Sequence, residues 1–299
     1  MTLIVTINGR ESIWLLADGR LSYKGRGPRD DARKVMFLET KDGVAILGYA
    51  GLGATALGTE PADWMSAVLR GRNLPLERSL SVLAEAMKKQ FPRHMIRIPD
   101  PGGPGHNVLV TAFLNGKARF YTIDLAFMPD RKQFNFRYTR HVVTTSATRT
   151  PRIGIGGSGA LHLLRDRHWQ RPLLRAAGAY ERGQVTSRAV SDYLARLNLD
   201  VHRHIADRTV GPSCIVAWRN REGGGGHQFY TDGLLDPNNR LLPTIANGMD
   251  ISAIVGVLLP TTLKSLEAML AGESAKDFDK DKLNAELARL PDTPNEQLR

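Results

Sequence analysis

The order of secondary-structure signals along the chain is the strongest constraint on its fold. Two apolar runs, Leu3 to Ile7 and Ser12 to Ala17, meet at an Asn8-Gly9 turn, which is a short-range hairpin signal. Lys34 to Thr40 and Val44 to Tyr49 form a second such pair around Lys41-Asp42-Gly43. Helical patterns follow at Pro61 to Arg70 and at Leu76 to Phe91, the latter with apolar residues at positions 76, 80, 83 and 87. After a Pro/Gly-rich loop at Pro99 to Gly105, strands return at Asn107 to Leu114, Ala118 to Leu125 and Asn135 to Thr145. A helical region from Gly159 to about Arg182 precedes a helix opened by Thr186 or Ser187 that reaches Ala206. Ser213 to Arg219 and His227 to Tyr230 close the series as a hairpin around Gly223 to Gly226. Strands, a helix pair, strands, a helix pair and strands do not alternate as a parallel α/β sheet requires. The order predicts an α+β protein with two antiparallel sheets layered between helix pairs.

Residues 2–246 carry this pattern, and 247–299 read as a C-terminal helical extension. Its apolar stretch, Ile251 to Leu259, stops at Pro260 and is far shorter than the roughly 18 residues that a membrane span needs. The start of the chain lacks a basic region followed by an apolar one, so no leader is expected. A single cysteine, Cys214, excludes an intramolecular disulfide framework and suits a reducing compartment. A cytoplasmic soluble protein is the expectation. The net charge of +11 lies in the body, because positions 264–299 hold six basic and eight acidic groups. Acids and apolar residues interrupt the arginine clusters at 26–33 and 165–175, so neither a nucleic-acid module nor membrane binding is predicted.

Removal of Met1 would leave Thr2 with a hydroxyl nucleophile and a free α-amine on one residue. That amine has a reference pKa of about 7.7 to 8.0, so it can take the hydroxyl proton near neutral pH. The spacing downstream adds Asp18, Arg20 and Lys34, then Gly48 in Gly48-Tyr49-Ala50-Gly51. Together with Ala17-Asp18-Gly19-Arg20, these residues resemble the pattern of proteasome β-subunits and their bacterial relatives, the N-terminal-nucleophile threonine peptidases. The resemblance implies a four-layer α/β/β/α sandwich, the N-terminal-nucleophile hydrolase fold. It makes Thr2 the nucleophile, Lys34 the cation that polarises its hydroxyl, and Asp18 the acid that keeps Lys34 charged. Arg20 would brace the turn carrying Asp18, and the Gly48 N–H would donate to the oxyanion on the attacked carbonyl.

The same resemblance places substrate contacts. Ser22, Gly48 and Ala50 would pair with an extended peptide as an added strand. Leu21, Ala32, Met36, Ile46 and Ala54 would line an apolar pocket for the residue before the cleaved bond. Farther along, Gly157-Ser158-Gly159 puts Ser158 near the nucleophile, and Asp207 followed by Gly211 matches a second supporting segment. Val210 stands where the family has a serine, with Thr209 beside it.

Two competing signals carry less. Gly154, Gly156 and Gly159 satisfy G-x-G-x-x-G, and Gly51, Gly53 and Ala56 its alanine variant, but neither opens a strand-helix-strand unit with an acidic residue at the end of a second strand. His202 and His204 are two apart on a predicted helix and face apart, so neither cofactor nor metal is predicted. The sequence therefore predicts a threonine-dependent amide-bond hydrolase, most simply a peptidase, with a peptide or amide substrate. A small-molecule amidase or acylase, or a non-catalytic ring-forming relative, is the alternative. A homo-oligomeric ring is expected, and any ATPase partner is left open.

Overall fold

The computed structural model describes residues 2–23, 26–51, 60–90, 107–128, 133–141, 152–204, 209–238, 240–270 and 280–291. The predicted loop at Pro99 to Gly105 lies outside them.

Two sheets dominate. The first has six strands in the order β10-β1-β2-β11-β12-β13, all antiparallel. Here β1 is Ile4–Asn8, β2 Ser12–Asp18, β10 Arg152–Gly156, β11 Cys214–Asn220, β12 Gly225–Thr231 and β13 Leu234–Leu235. The second has seven strands in the order β15-β14-β5-β6-β7-β8-β9. It is built from β5 (Val35–Thr40), β6 (Gly43–Ala50), β7 (Asn107–Leu114), β8 (Lys117–Met128), β9 (Gln133–His141), β14 (Thr244–Ala246) and β15 (Met249–Asp250). Only the β14–β5 pairing is parallel. A short pair, β3 (Leu21–Tyr23) with β4 (Arg26–Arg29), stands beside them. Among the described residues the helices are α1 (Pro61–Leu69), α2 (Leu76–Gln90), α3 (Ala160–Arg165), α4 (Gln170–Glu181), α5 (Ser187–His204), α6 (Ile251–Leu270) and α7 (Lys280–Ala288).

Strand alternation sorts the apolar residues into three cores, because successive side chains point to opposite faces. Ile4, Ile13, Leu15 and Ala17 of the six-stranded sheet meet Val35, Phe37, Ile46 and Leu109 of the seven-stranded sheet. On the outer face of the seven-stranded sheet, Met36, Leu38, Leu47 and Tyr49 pack with Trp64, Leu80, Leu83 and Met87 of α1 and α2. On the outer face of the other sheet, Leu3, Val5, Trp14 and Leu16 pack with Leu163, Leu173, Val190 and Leu194 of α3 to α5. Trp14 anchors this last core, stacked on Trp218 with centroids 5.4 Å apart and meeting the edge of Tyr180 at 5.0 Å.

Several sequence expectations change. The helical region from Gly159 is interrupted: Asp166 leaves the helix in an extended conformation, and its side chain accepts from the His168 N–H. Residues 152–156, read only as a glycine motif, form β10 against β1. Substitution shows why glycine stands there: a Cβ on Gly154 would lie 2.7 Å from Phe120 Cζ, and one on Gly156 would lie 2.6 Å from Leu109 Cδ1. Pro260 ends the apolar stretch but not the helix, since α6 runs through it. Among the described residues no helix is long and apolar enough to cross a membrane.

Candidate active site

The centre of the candidate site is a buried acid at the end of a strand. Asp18 closes β2, and its carboxylate is fully shielded from solvent. Oδ1 accepts from the Leu3 N–H at 2.9 Å, and Oδ2 accepts from the N–H groups of Arg20 at 3.1 Å and Gly211 at 3.0 Å. These donors come from three segments, so the carboxylate holds the start of β1, the turn after β2 and the chain before β11 together. Lys34, the residue preceding β5, donates from Nζ to Asp18 Oδ1 at 3.2 Å and to Thr2 Oγ1 at 2.8 Å. Thr2 and Lys34 are each 1% exposed. Burial pushes the Lys34 amine below the ordinary lysine value, and the Asp18 carboxylate opposes that shift.

Arg20 reaches the site through its backbone. Its guanidinium forms a fork with Asp30, Nε to Oδ1 and Nη2 to Oδ2 at 2.6 Å each. Hydrogen bonding to Asp30 raises the guanidinium's pKa against the burial that would lower it. Asp30 was not singled out in the sequence. The signal available was a buried arginine needing an acid, obscured by the acids scattered through the 26–33 cluster.

The segment 157–159 packs directly on the first residues. Gly157 has φ of +83°, and a Cβ there would fall 1.9 Å from the Thr2 carbonyl oxygen. The Gly159 N–H donates to the same carbonyl at 3.3 Å. Ser158 Oγ shares a hydrogen bond of 3.2 Å with Thr209 Oγ1, while Val210 packs near Gly159. Gly211 is required by crowding, since a Cβ would sit 2.5 Å from Asp30 Oδ1 and 2.9 Å from Arg20 Cβ. Asp207 and Ala54 lie outside the described residues, and the Ser22 side chain is likewise outside them.

In the structure Lys34 bridges Thr2 and Asp18, the Arg20 N–H is bonded to Asp18, and the glycines on either side of Ser158 pack on the Thr2 carbonyl. Among the described residues of the expected pocket, Met36 and Ile46 do not share a face. Met36 pairs with Leu47 and Phe37 with Ile46, so Met36 faces α1 and α2 while Ile46 faces the other sheet. Ala32 lies on a small cavity with Gly19, Ser213 and Cys214, and Leu21 is 2% exposed. Gly48 sits inside the seven-stranded sheet, opposite Val35 on β5 and Leu109 on β7, and the neighbouring Tyr49 N–H donates to the Lys34 carbonyl. Ala50, opposite Asn107, is 1% exposed and also inside this sheet.

Fold and site thus define an α+β protein of two facing sheets with a buried threonine, lysine and aspartate at the head of its first strands. No protein-family model matches the chain, and no curated protein matches it. Solved structures do. Anbu, described as an ancestral beta-subunit, from Yersinia bercovieri aligns over 77% of this chain and 87% of its own at 13% identity, with a TM-score of 0.50. Anbu from Pseudomonas aeruginosa, solved as a helical assembly of the Anbu complex, aligns over 99% of this chain and 100% of its own at 12% identity, also with a TM-score of 0.50. At such identity the likeness establishes the fold alone. It also overturns the resemblance drawn from the N-terminal motif: the similar structures are Anbu proteins rather than the proteasome-type threonine peptidases to which that motif pointed.

Proposed function

We propose that the chain is an amide-bond hydrolase that uses Thr2 as its nucleophile once Met1 has been removed, acting on peptides. The observation that carries this reading is the 2.8 Å hydrogen bond from Lys34 Nζ to Thr2 Oγ1 with both groups buried. A surface lysine would gain nothing from a threonine there; a buried one lowers the cost of forming an alkoxide. In the proposed reaction Thr2 Oγ1 attacks the amide carbonyl and its proton passes to the freed α-amine. The protonated amine then delivers that proton to the leaving nitrogen as the C–N bond breaks, which leaves an ester on Thr2. Water, activated by the same amine, cleaves the ester and restores the hydroxyl. Asp18 keeps Lys34 in place, and Gly157 and Gly159 pack on the Thr2 carbonyl.

Within this proposal the two sheets and their flanking helices are the four layers of the N-terminal-nucleophile fold. The expected catalytic unit, 2–246, would end inside the β14–β15 hairpin, so in this reading the extension begins with α6 at Ile251. Self-assembly belongs to the same reading, because the Pseudomonas aeruginosa Anbu complex forms a helical assembly and Leu259, Leu263, Leu266 and Leu270 are exposed along α6.

The test is intact mass after treatment with a peptide electrophile that bonds both a hydroxyl and an adjacent amine. One adduct per chain on protein lacking Met1, absent from Thr2→Ala, is the expected result. Active protein that retains Met1 throughout would overturn the mechanism. Labelling with small amides in place of peptides would redirect the substrate assignment to an amidase.

A further inference from the structure

Outside the Thr2 centre, one cluster of ligating side chains has no role in the chemistry above. His162 lies on α3, and Asp200 and His204 lie one turn apart on α5, so both α5 residues project from one face. One potential ligand atom from each of the three falls within 4.8 Å of the other two. The two imidazoles are stacked with centroids 5.5 Å apart and planes 21° apart, and His204 Nδ1 stands 3.2 Å from Asp200 Oδ1. The helices beneath are fixed. Leu163 and Val201, the residues that follow His162 and Asp200, are buried in one core. The Leu163 carbonyl also accepts from Trp169 Nε1 at 2.9 Å.

We infer that His162, Asp200 and His204 form a binding site for a divalent transition-metal ion of the zinc class. Two imidazoles and a carboxylate are the donor set such ions select over magnesium or calcium, with water completing the shell. Ligand atoms on one tetrahedral ion stand about 3.4 Å apart, given metal–ligand distances of about 2.0 to 2.2 Å. Closing from 4.8 Å requires only side-chain rotation, which is open to Asp200 and His204 because their side chains are each 60% exposed. The ion would tie α3 to α5. α3 follows the Gly157-Ser158-Gly159 segment on the Thr2 carbonyl, and α5 precedes Thr209 and Gly211, so its role is to hold two supports of the buried centre in register. The inference does not depend on the hydrolase reading.

The experiment uses the full chain, freed of metal by chelation, titrated calorimetrically with zinc chloride alone and spectroscopically with cobalt(II). The expected result is one ion per chain, visible-range cobalt bands of a low-coordinate site, and a higher melting temperature with zinc. His162→Gln combined with His204→Gln should weaken binding by at least about tenfold and abolish the melting shift. His168→Gln, outside the cluster, should change neither. Asp200→Asn, a single exposed change, covers the case in which the double variant folds poorly, and should also weaken binding. Absence of saturable binding, or affinity unchanged in both cluster variants, would overturn the site.

Discussion

Lys34 Nζ lies 3.2 Å from Asp18 Oδ1, and neither side chain is more than 1% exposed. The two partners are not equally dependent on each other. Without the lysine, Asp18 still accepts from the backbone N–H groups of Leu3, Arg20 and Gly211. Without the carboxylate, the lysine keeps only the Thr2 hydroxyl among these contacts.

That asymmetry gives the first prediction. Lys34→Met leaves the buried Asp18 carboxylate without its counter-ion but with its three backbone donors, so it should cost less than the roughly 3 to 5 kcal/mol of a fully stranded charge, while turnover falls about a hundredfold or more. Asp18→Asn should cost about 3 to 5 kcal/mol, since it strands a buried ammonium. The sign of the pH dependence follows from burial lowering the Lys34 pKa. The folded chain binds this proton more weakly than the unfolded one, so stability rises with pH between the lowered value and the ordinary lysine range. Lys34→Met should flatten that rise. Urea unfolding of both variants across pH, with parallel activity assays, checks each part; a wild-type slope retained in Lys34→Met contradicts it.

Gly157→Ala is the second prediction. The substitution combines a positive φ with a Cβ 1.9 Å from the Thr2 carbonyl oxygen, and that atom is backbone, which yields little. A loss of about 3 kcal/mol is expected, together with displacement of Thr2 and reduced labelling by the electrophile. Denaturant midpoints and labelling rates measure the two effects. An unchanged midpoint would mean that the 157–159 segment does not press on Thr2.

How much of this was legible in the sequence depends on the range over which each feature is written. Thr2, Asp18 and Lys34 could be found through the family pattern that their spacing resembles, and their residue types are unusual for a core. The faces of Met36 and Ile46 could not, because a register offset of one residue reverses every side chain and the spacing alone does not set the register. Strand β10 was hidden because Gly154 and Gly156, poor strand formers, interleave with Ile153 and Ile155; close packing on Phe120 and Leu109 selects glycine there. His162 and His204 meet only through the packing of α3 on α5, so the histidine pair visible in the sequence, His202 and His204, is one that faces apart and predicts no metal.

The third prediction concerns the junction of α6 with the sheet. The Asp250 carboxylate accepts from Arg70 Nη2 at 2.7 Å, Ser252 Oγ at 2.7 Å and the Ala253 N–H at 3.0 Å. Burial would raise its pKa, but these hydrogen bonds and the arginine charge outweigh it and hold it below the ordinary aspartate value. The stabilisation is therefore complete above the ordinary aspartate range and is lost as pH falls through the lowered folded value. Asp250→Asn should cost about 2 kcal/mol at neutral pH and progressively less in acid. Thermal melts of both proteins from neutral pH into acid should converge; parallel curves would contradict the linkage.

The last prediction tests assembly through α6. Leu259, Leu263, Leu266 and Leu270 are 46%, 48%, 51% and 81% exposed, and their spacing of three and four residues aligns them on one face of the helix. A row of leucines in water costs free energy that a neighbouring subunit would recover, and such patches mark contact surfaces. Charges placed in the row would be desolvated on association, so Leu263→Glu with Leu266→Glu should disfavour it without touching the three cores. Size exclusion with light scattering is expected to report a particle several times the 33.0 kDa chain for the wild type and a mass near 33.0 kDa for the double variant. Circular dichroism should be unchanged, because both side chains already face solvent in the single chain. A wild-type chain that runs as a 33.0 kDa monomer and still turns over substrate would remove assembly from the proposed function and leave the leucine row to another partner.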